Sequence, residues 1–246
     1  MASETMTNSD IQGAVFDPGR RFPIITSPEG LDALPFLSDA EKKLVQENFQ
    51  YMIISMRGED SKQPRDHAAV QSRNPDFIGM CIPDVFLKEL SMYEDMISGI
   101  CGIDITEMMS TTDQDKGFEG LDPQVIRHFC TAMLMAAKVA DDMDVEWARR
   151  LFATAPNFGF LTKQHWVLIN QPTSAVWSEE QRLSLEFTEG VMHQSLSDDL
   201  FARACELWGT QRTVLFARWI TYYVGLLLLT VVNITDADKA GALAPA

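Results

Sequence analysis

The stretch Leu121–Leu151, LDPQVIRHFCTAMLMAAKVADDMDVEWARRL, decides how the chain is read. Asp122 is a residue type that caps helices, and Pro123 suits the first helical position. Val125, Phe129, Ala132, Met133, Ala136, Val139 and Ala140 then recur at steps of three and four, which predicts a helix with one buried face. That helix runs into the acidic cluster Asp141, Asp142, Asp144 and Glu146. A second helical segment follows, with Trp147, Leu151 and Phe152 as its apolar side. Carboxylates are favoured at a helix start by the free amides and the backbone dipole. A buried helix, an abrupt break and a charged helix start together predict the floor of a ligand pocket.

Working outward, the same signals recur. Ser38 with Glu41 forms a capping-box pattern before Leu44, Phe49, Met52, Ile53 and Met56, so a helix is predicted from about Asp39. Residues 58–74 are polar and read as a loop or a short exposed helix, and residues 111–120 as a polar linker. Pro83 precedes a helical pattern carrying Phe86, Leu90, Tyr93 and Ile97. In the last third, Ser178 with Gln181 caps one helix, Ser197 or Asp198 starts the next, and Gly209 closes it. Thr210 opens a long helix reaching roughly Asn233, apolar all round in its second half. Such a helix is expected to be buried on all sides, as a central strut or across a subunit interface. Strand-type alternation is nearly absent. The expected class is all-α, a helical bundle of about seven or eight helices, in a single domain over residues 21–235 between flexible ends at 1–20 and 236–246.

Composition narrows the function. The chain has 246 residues and a formal charge of -15, from 35 acidic against 20 basic side chains. Phosphate contacts need clustered Lys and Arg, so nucleic acid and anionic membrane surfaces are excluded as expected partners. Cys81, Cys101, Cys130 and Cys205 stand apart without a CxxC pair, which predicts free thiols in a reducing compartment rather than disulfides or zinc. The N-terminus MASETMTNSD lacks a basic and an apolar signal region, and the apolar run from Trp219 to Val232, 14 residues, is shorter than a bilayer span. A soluble cytoplasmic protein is expected.

The segments TAMLMAAKVADDMDVEW (131–147), LTKQHW (161–166), WSEEQRLSLEFTEGVMHQSLSDDLFARACELWG (177–209) and FARWITYYVGLLLL (216–229) together resemble the carboxymuconolactone decarboxylase family, whose other branch is the alkylhydroperoxidase-D-like proteins. RFPIITSPEGL (21–31) and CIPDVFLKEL (81–90) resemble that family's opening segments more faintly. The resemblance implies an all-α topology and an obligate homo-oligomer, a dimer or trimer. In the peroxide-reducing branch a Glu, the two Cys of CxxC and a His form a relay. Aligned through Trp147, those places here hold Thr131, Met143, Glu146 and Arg150. Without a thiolate there is no nucleophile for a peroxide. The decarboxylase branch shares the E-W pattern, but Arg150 stands where a proton-carrying His is expected, and arginine stays protonated. Val224 and Leu227 replace the Asn that many relatives carry, which implies a larger, less polar ligand.

The candidate catalytic residues are therefore Glu146 as base, Arg150 as anion holder, and His128 or a tyrosine as proton donor. Thr131, Met143, Trp147, Tyr222 and Tyr223 are the candidate substrate-binding residues. Each has a plainer reading. Glu146 and Arg150 fit an ordinary i,i+4 ion pair, His128 a hydrogen-bonded core histidine, and the methionines core filler. The expected function is cofactor-free proton transfer on a hydrophobic, carbonyl-bearing small molecule: a lyase, isomerase or cyclase of specialised metabolism. Two alternatives stay open, a non-catalytic ligand- or partner-binding protein and a Mg²⁺-dependent cyclase using Asp141, Asp142 and Asp144, whose DDMD resembles the Asp-rich motif of terpene cyclases. Helix capping is the plainer reading of those aspartates.

Overall fold

A computed structural model describes residues 11–16, 21–25, 27–57, 80–104, 120–144 and 163–233. The protein is all-α. Seven α-helices are described: α1 (Asp39–Arg57), α2 (Pro83–Cys101), α3 (Pro123–Asp142), α4 (Lys163–Val167), α5 (Glu179–Met192), α6 (Asp198–Trp208) and α7 (Thr210–Asn233). A 3₁₀ turn at Pro28–Ala33 and a two-residue antiparallel bridge, Ala14–Val15 with Ile24–Ile25, precede them. Ala14 and Val15 pair with Ile25 and Ile24.

The helix starts are local chemistry. Ser38 and Glu41 close their capping box, with the Ser38 N–H donating to Glu41 Oε2 at 2.8 Å and the Glu41 N–H to Ser38 Oγ at 3.3 Å. Asp122 accepts from the Gln124 N–H at 2.7 Å, ahead of Pro123. Ser178 and Gln181 form a second capping box, and Ser197 accepts from the Leu200 N–H. Each satisfies amides that the first helical turn leaves unpaired. Gly209, at φ +80°, then turns the chain between α6 and α7, a backbone region glycine enters without strain.

Two compact units divide the chain, one formed by Met1–Leu90 with Leu228–Ala246 and the other by Ser91–Leu227. In the first, Ile25, Leu31, Leu34, Val45, Phe49, Met80, Phe86 and Leu90 make the core. Its bridge and 3₁₀ turn pack so closely that a Cβ on Gly30 would stand 1.9 Å from the Gly13 carbonyl oxygen. In the second, α3 packs against α5, and α5 against α6. Phe129, Met135, Val139, Leu185, Phe187 and Trp219 belong to its core.

Within a single chain the last helix is not a strut buried on all sides. Its buried residues are Thr213, Phe216, Trp219, Ile220 and Leu227, whereas Val214, Leu228 and Val232 are exposed. Trp219 Nε1 donates to the Ala132 carbonyl at 2.7 Å, so α3 covers one side of α7. Apolar side chains all round record what a helix tolerates; which of them are buried depends on where neighbours stand.

Candidate functional site

The first half of α3 carries the site. His128 and Thr131 are one turn apart on that helix and are 8% and 6% exposed. Beside them Glu180, on the first turn of α5, gathers three donors. Trp208 Nε1 reaches its Oε1 at 3.0 Å, the Thr131 hydroxyl reaches the same oxygen at 3.4 Å, and Arg127 Nε donates to Oε2. Thr131 also bonds the Arg127 carbonyl at 2.9 Å, which fixes its rotamer. Three helices, α3, α5 and α6, thereby converge on one carboxylate.

His128 is the exception to this pairing. Its Nδ1 is buried and has no hydrogen-bond partner. Burial holds the imidazole below the ordinary histidine value, and the Arg212 and Arg127 guanidinium groups push the same way, against the weaker pull of Glu180 and Asp122. The ring is consequently neutral at pH 7, with one nitrogen a donor and the other an acceptor. Leaving a buried polar nitrogen unpaired costs free energy that a hydrogen bond would recover. Arg212 is itself anchored. Its Nε donates to the Ile100 carbonyl at 2.7 Å and Nη1 to the Trp208 carbonyl at 3.2 Å, so one cation serves the last turns of α2 and α6.

The remaining candidates fall into three groups. Tyr222 and Tyr223 pack against Trp219, with ring centroids 6.3 and 4.8 Å from that indole, and the indole is bonded to the Ala132 carbonyl one turn beyond His128. Met143 does not. It caps the other end of α3, fifteen residues past His128, or about 22 Å along the axis. Glu146, Trp147 and Arg150 lie outside the described residues, as do residues 58–79, 105–119 and the second helical segment after Asp144.

Compared with known protein families, curated proteins and solved structures, the chain matches none.

Sequence reasoning overlooked Glu180 and Lys138. Glu180 reads as the second residue of an acidic helix start, and only the folding of α3 and α6 onto it reveals its role. Lys138 is 3% exposed, inside the apolar run Ala136–Ala140. It pairs with Asp142 one turn on and donates to Asn170 Oδ1 at 2.6 Å, while Asn170 donates to Asp141. A lone lysine on a fully apolar helix face, four residues before an aspartate, is the signal that marks it. Asp144, at φ +53°, ends the helix. Among the thiols, burial pushes Cys81 and Cys130 up to about 11 and Cys101 up to about 12. These three stay protonated at neutral pH, which removes them as nucleophiles.

Proposed function

We propose that the chain is a cofactor-free enzyme of proton transfer, a lyase, isomerase or cyclase acting on a hydrophobic carbonyl-bearing small molecule in specialised metabolism, built on the carboxymuconolactone decarboxylase scaffold. The observation that carries this reading is the buried, neutral His128 with an unengaged Nδ1. A neutral imidazole can accept a proton from carbon and, once it carries that proton, return it to an enolate. Glu180, Arg127 and Thr131 are the fixed polar groups beside it. Glu146 and Arg150, the base and anion holder expected from the sequence, lie outside the described residues, and His128 carries the reading without them. The enzyme works in the cytoplasm as a homo-oligomer.

Asp141 and Asp142 are engaged by Asn170 and Lys138, which weighs against their use as Mg²⁺ ligands. The test is to incubate the protein with an extract of its own source and follow substrate loss by mass spectrometry, with and without EDTA. Turnover is expected without added cofactor, and His128→Asn is expected to lower it about a hundredfold or more. Full turnover in His128→Asn removes the histidine from the chemistry, and full turnover in both Glu146→Gln and Arg150→Ala removes that pair. Loss of turnover on EDTA that Mg²⁺ restores favours the cyclase.

A further inference from the structure

Trp208 bonds both of the charges that flank His128 from outside α3. Its Nε1 donates to Glu180 Oε1 at 3.0 Å, and its carbonyl accepts from Arg212 Nη1 at 3.2 Å. The residue closes α6 and is 3% exposed, with its ring edge-on to Phe187 at 5.8 Å and to Phe216 at 5.0 Å. A ring packed on two sides does not swing, so its N–H keeps one direction. A buried indole needs an acceptor, and any backbone carbonyl would meet that need. Here the acceptor is instead a carboxylate beside the histidine.

Thr131 and His128 share one face of α3, a turn apart, where side chains stand about 5–6 Å from each other. Glu180 Oε1 lies 3.4 Å from the Thr131 hydroxyl, so the carboxylate stands within about one helical turn of the imidazole. A carboxylate that close to a histidine ordinarily accepts a hydrogen bond from it and stabilises the imidazolium. Yet His128 Nδ1 has no partner. The donors on Glu180 account for this, and they are unequal. Arg127 holds Oε2, but its side chain is 44% exposed, and solvent-screened pairs are worth only about 0–1 kcal/mol. The Thr131 hydroxyl has a single hydrogen, and the Arg127 carbonyl at 2.9 Å is its nearer acceptor. That leaves the indole N–H as the buried donor that fixes Oε1.

We infer that Trp208 is a positioning residue of this site: its indole N–H holds the Glu180 carboxylate off His128, so that Nδ1 stays open to substrate. Released from the indole, Oε1 turns to the imidazole, and the ring takes up a proton that closes it as a base. The inference rests on the reading of His128 as the base, but its test is read without turnover. The test is NMR titration of the His128 ring in the full chain, comparing wild type with Trp208→Phe, which keeps an aromatic ring and removes the N–H. The charged groups that bear on the ring are Arg127 and Asp122 on α3, Glu180 on α5 and Arg212 on α7, and the backbone carbonyl that holds Arg212 is untouched by the substitution. The His128 midpoint is expected to move up in Trp208→Phe. In a Glu180→Gln background the same substitution is expected to leave the midpoint where Glu180→Gln put it, because no carboxylate is there to be released. A midpoint unmoved by Trp208→Phe, or a rise that persists with Glu180→Gln, overturns the positioning role. Should Trp208→Phe fail to fold, benzothienylalanine at position 208 gives the same readings, since it keeps the double ring and sets sulfur in place of the N–H. With a substrate in hand, the acid limb of the turnover profile should follow the midpoint upward. Full turnover in His128→Asn would remove the histidine from the chemistry and leave the titration result standing, so the two failures are distinct.

Discussion

The two halves of α3 bury ionisable groups in opposite ways. Lys138, ten residues and about 15 Å past His128, is packed among alanines and valines, yet its ammonium is held by Asp142 and Asn170. His128 is nearly as buried but leaves Nδ1 without a partner. The lysine knot has most of its polar atoms matched, with only Asp142 Oδ2 unpaired, and it ties the end of α3 to the turn at Leu168–Asn170. Burial of a polar group is therefore not itself a sign of function. A matched group specifies the fold, whereas an unmatched one carries a cost that a substrate can relieve.

The sharpest way to break this contrast is at the knot. Asp142→Ala strands the Lys138 charge in the core and is expected to cost about 3 kcal/mol or more, read by urea unfolding. The double variant Lys138→Met/Asp142→Leu should recover most of that, since matched apolar groups replace a matched pair. A loss below about 1 kcal/mol in Asp142→Ala would show the lysine to be solvated and the contrast void.

At the other end the expectation reverses. His128→Leu replaces an unpaired polar ring by an apolar side chain and should change stability by less than about 1 kcal/mol, in either direction, while turnover is lost. It should also remove a pH dependence. Since the folded state holds His128 below its ordinary value of 6.5, the unfolded chain takes up the proton first on acidification. Its contribution is thus complete above 6.5 and is lost as pH falls from there through the folded value. Unfolding curves at pH 7.5 and 5.5 should show that loss in the wild type and a smaller one in His128→Leu. Equal slopes would mean that His128 titrates normally.

The smallest effect belongs to Arg127, whose side chain is 44% exposed and whose pair with Glu180 reaches solvent. Arg127→Gln should cost less than about 1 kcal/mol. It should nonetheless raise the His128 pKa, because a cation that disfavours the imidazolium is gone; NMR titration of the ring reads the shift. An unchanged titration would leave Arg212 and burial as the only causes.

Much of the architecture was legible because helix starts are local. Ser38 with Glu41, Asp122 with Pro123, Ser178 with Gln181, and Ser197 satisfy amides within three residues of themselves, so they act the same whatever the chain does elsewhere. The period of α3 likewise named its buried face, since apolar spacing and helical geometry are one pattern. His128 and Thr131 could be picked out as polar residues in that pattern.

What tertiary structure alone decided was partnership. Nothing local to Glu180 announces that Trp208, Thr131 and Arg127 will share its carboxylate, nor that Asn170 will close over Lys138, because those contacts join residues 28 to 53 positions apart in one case and 32 in the other. The same holds for α7. Its composition says that every side can be buried, but burial is a property of neighbours, and α3 and α2 cover only part of it. Capping and periodicity act over one or two turns of backbone and are written in the order of residues; desolvation, pairing and exposure depend on which distant atoms arrive, and only the folded chain brings them together.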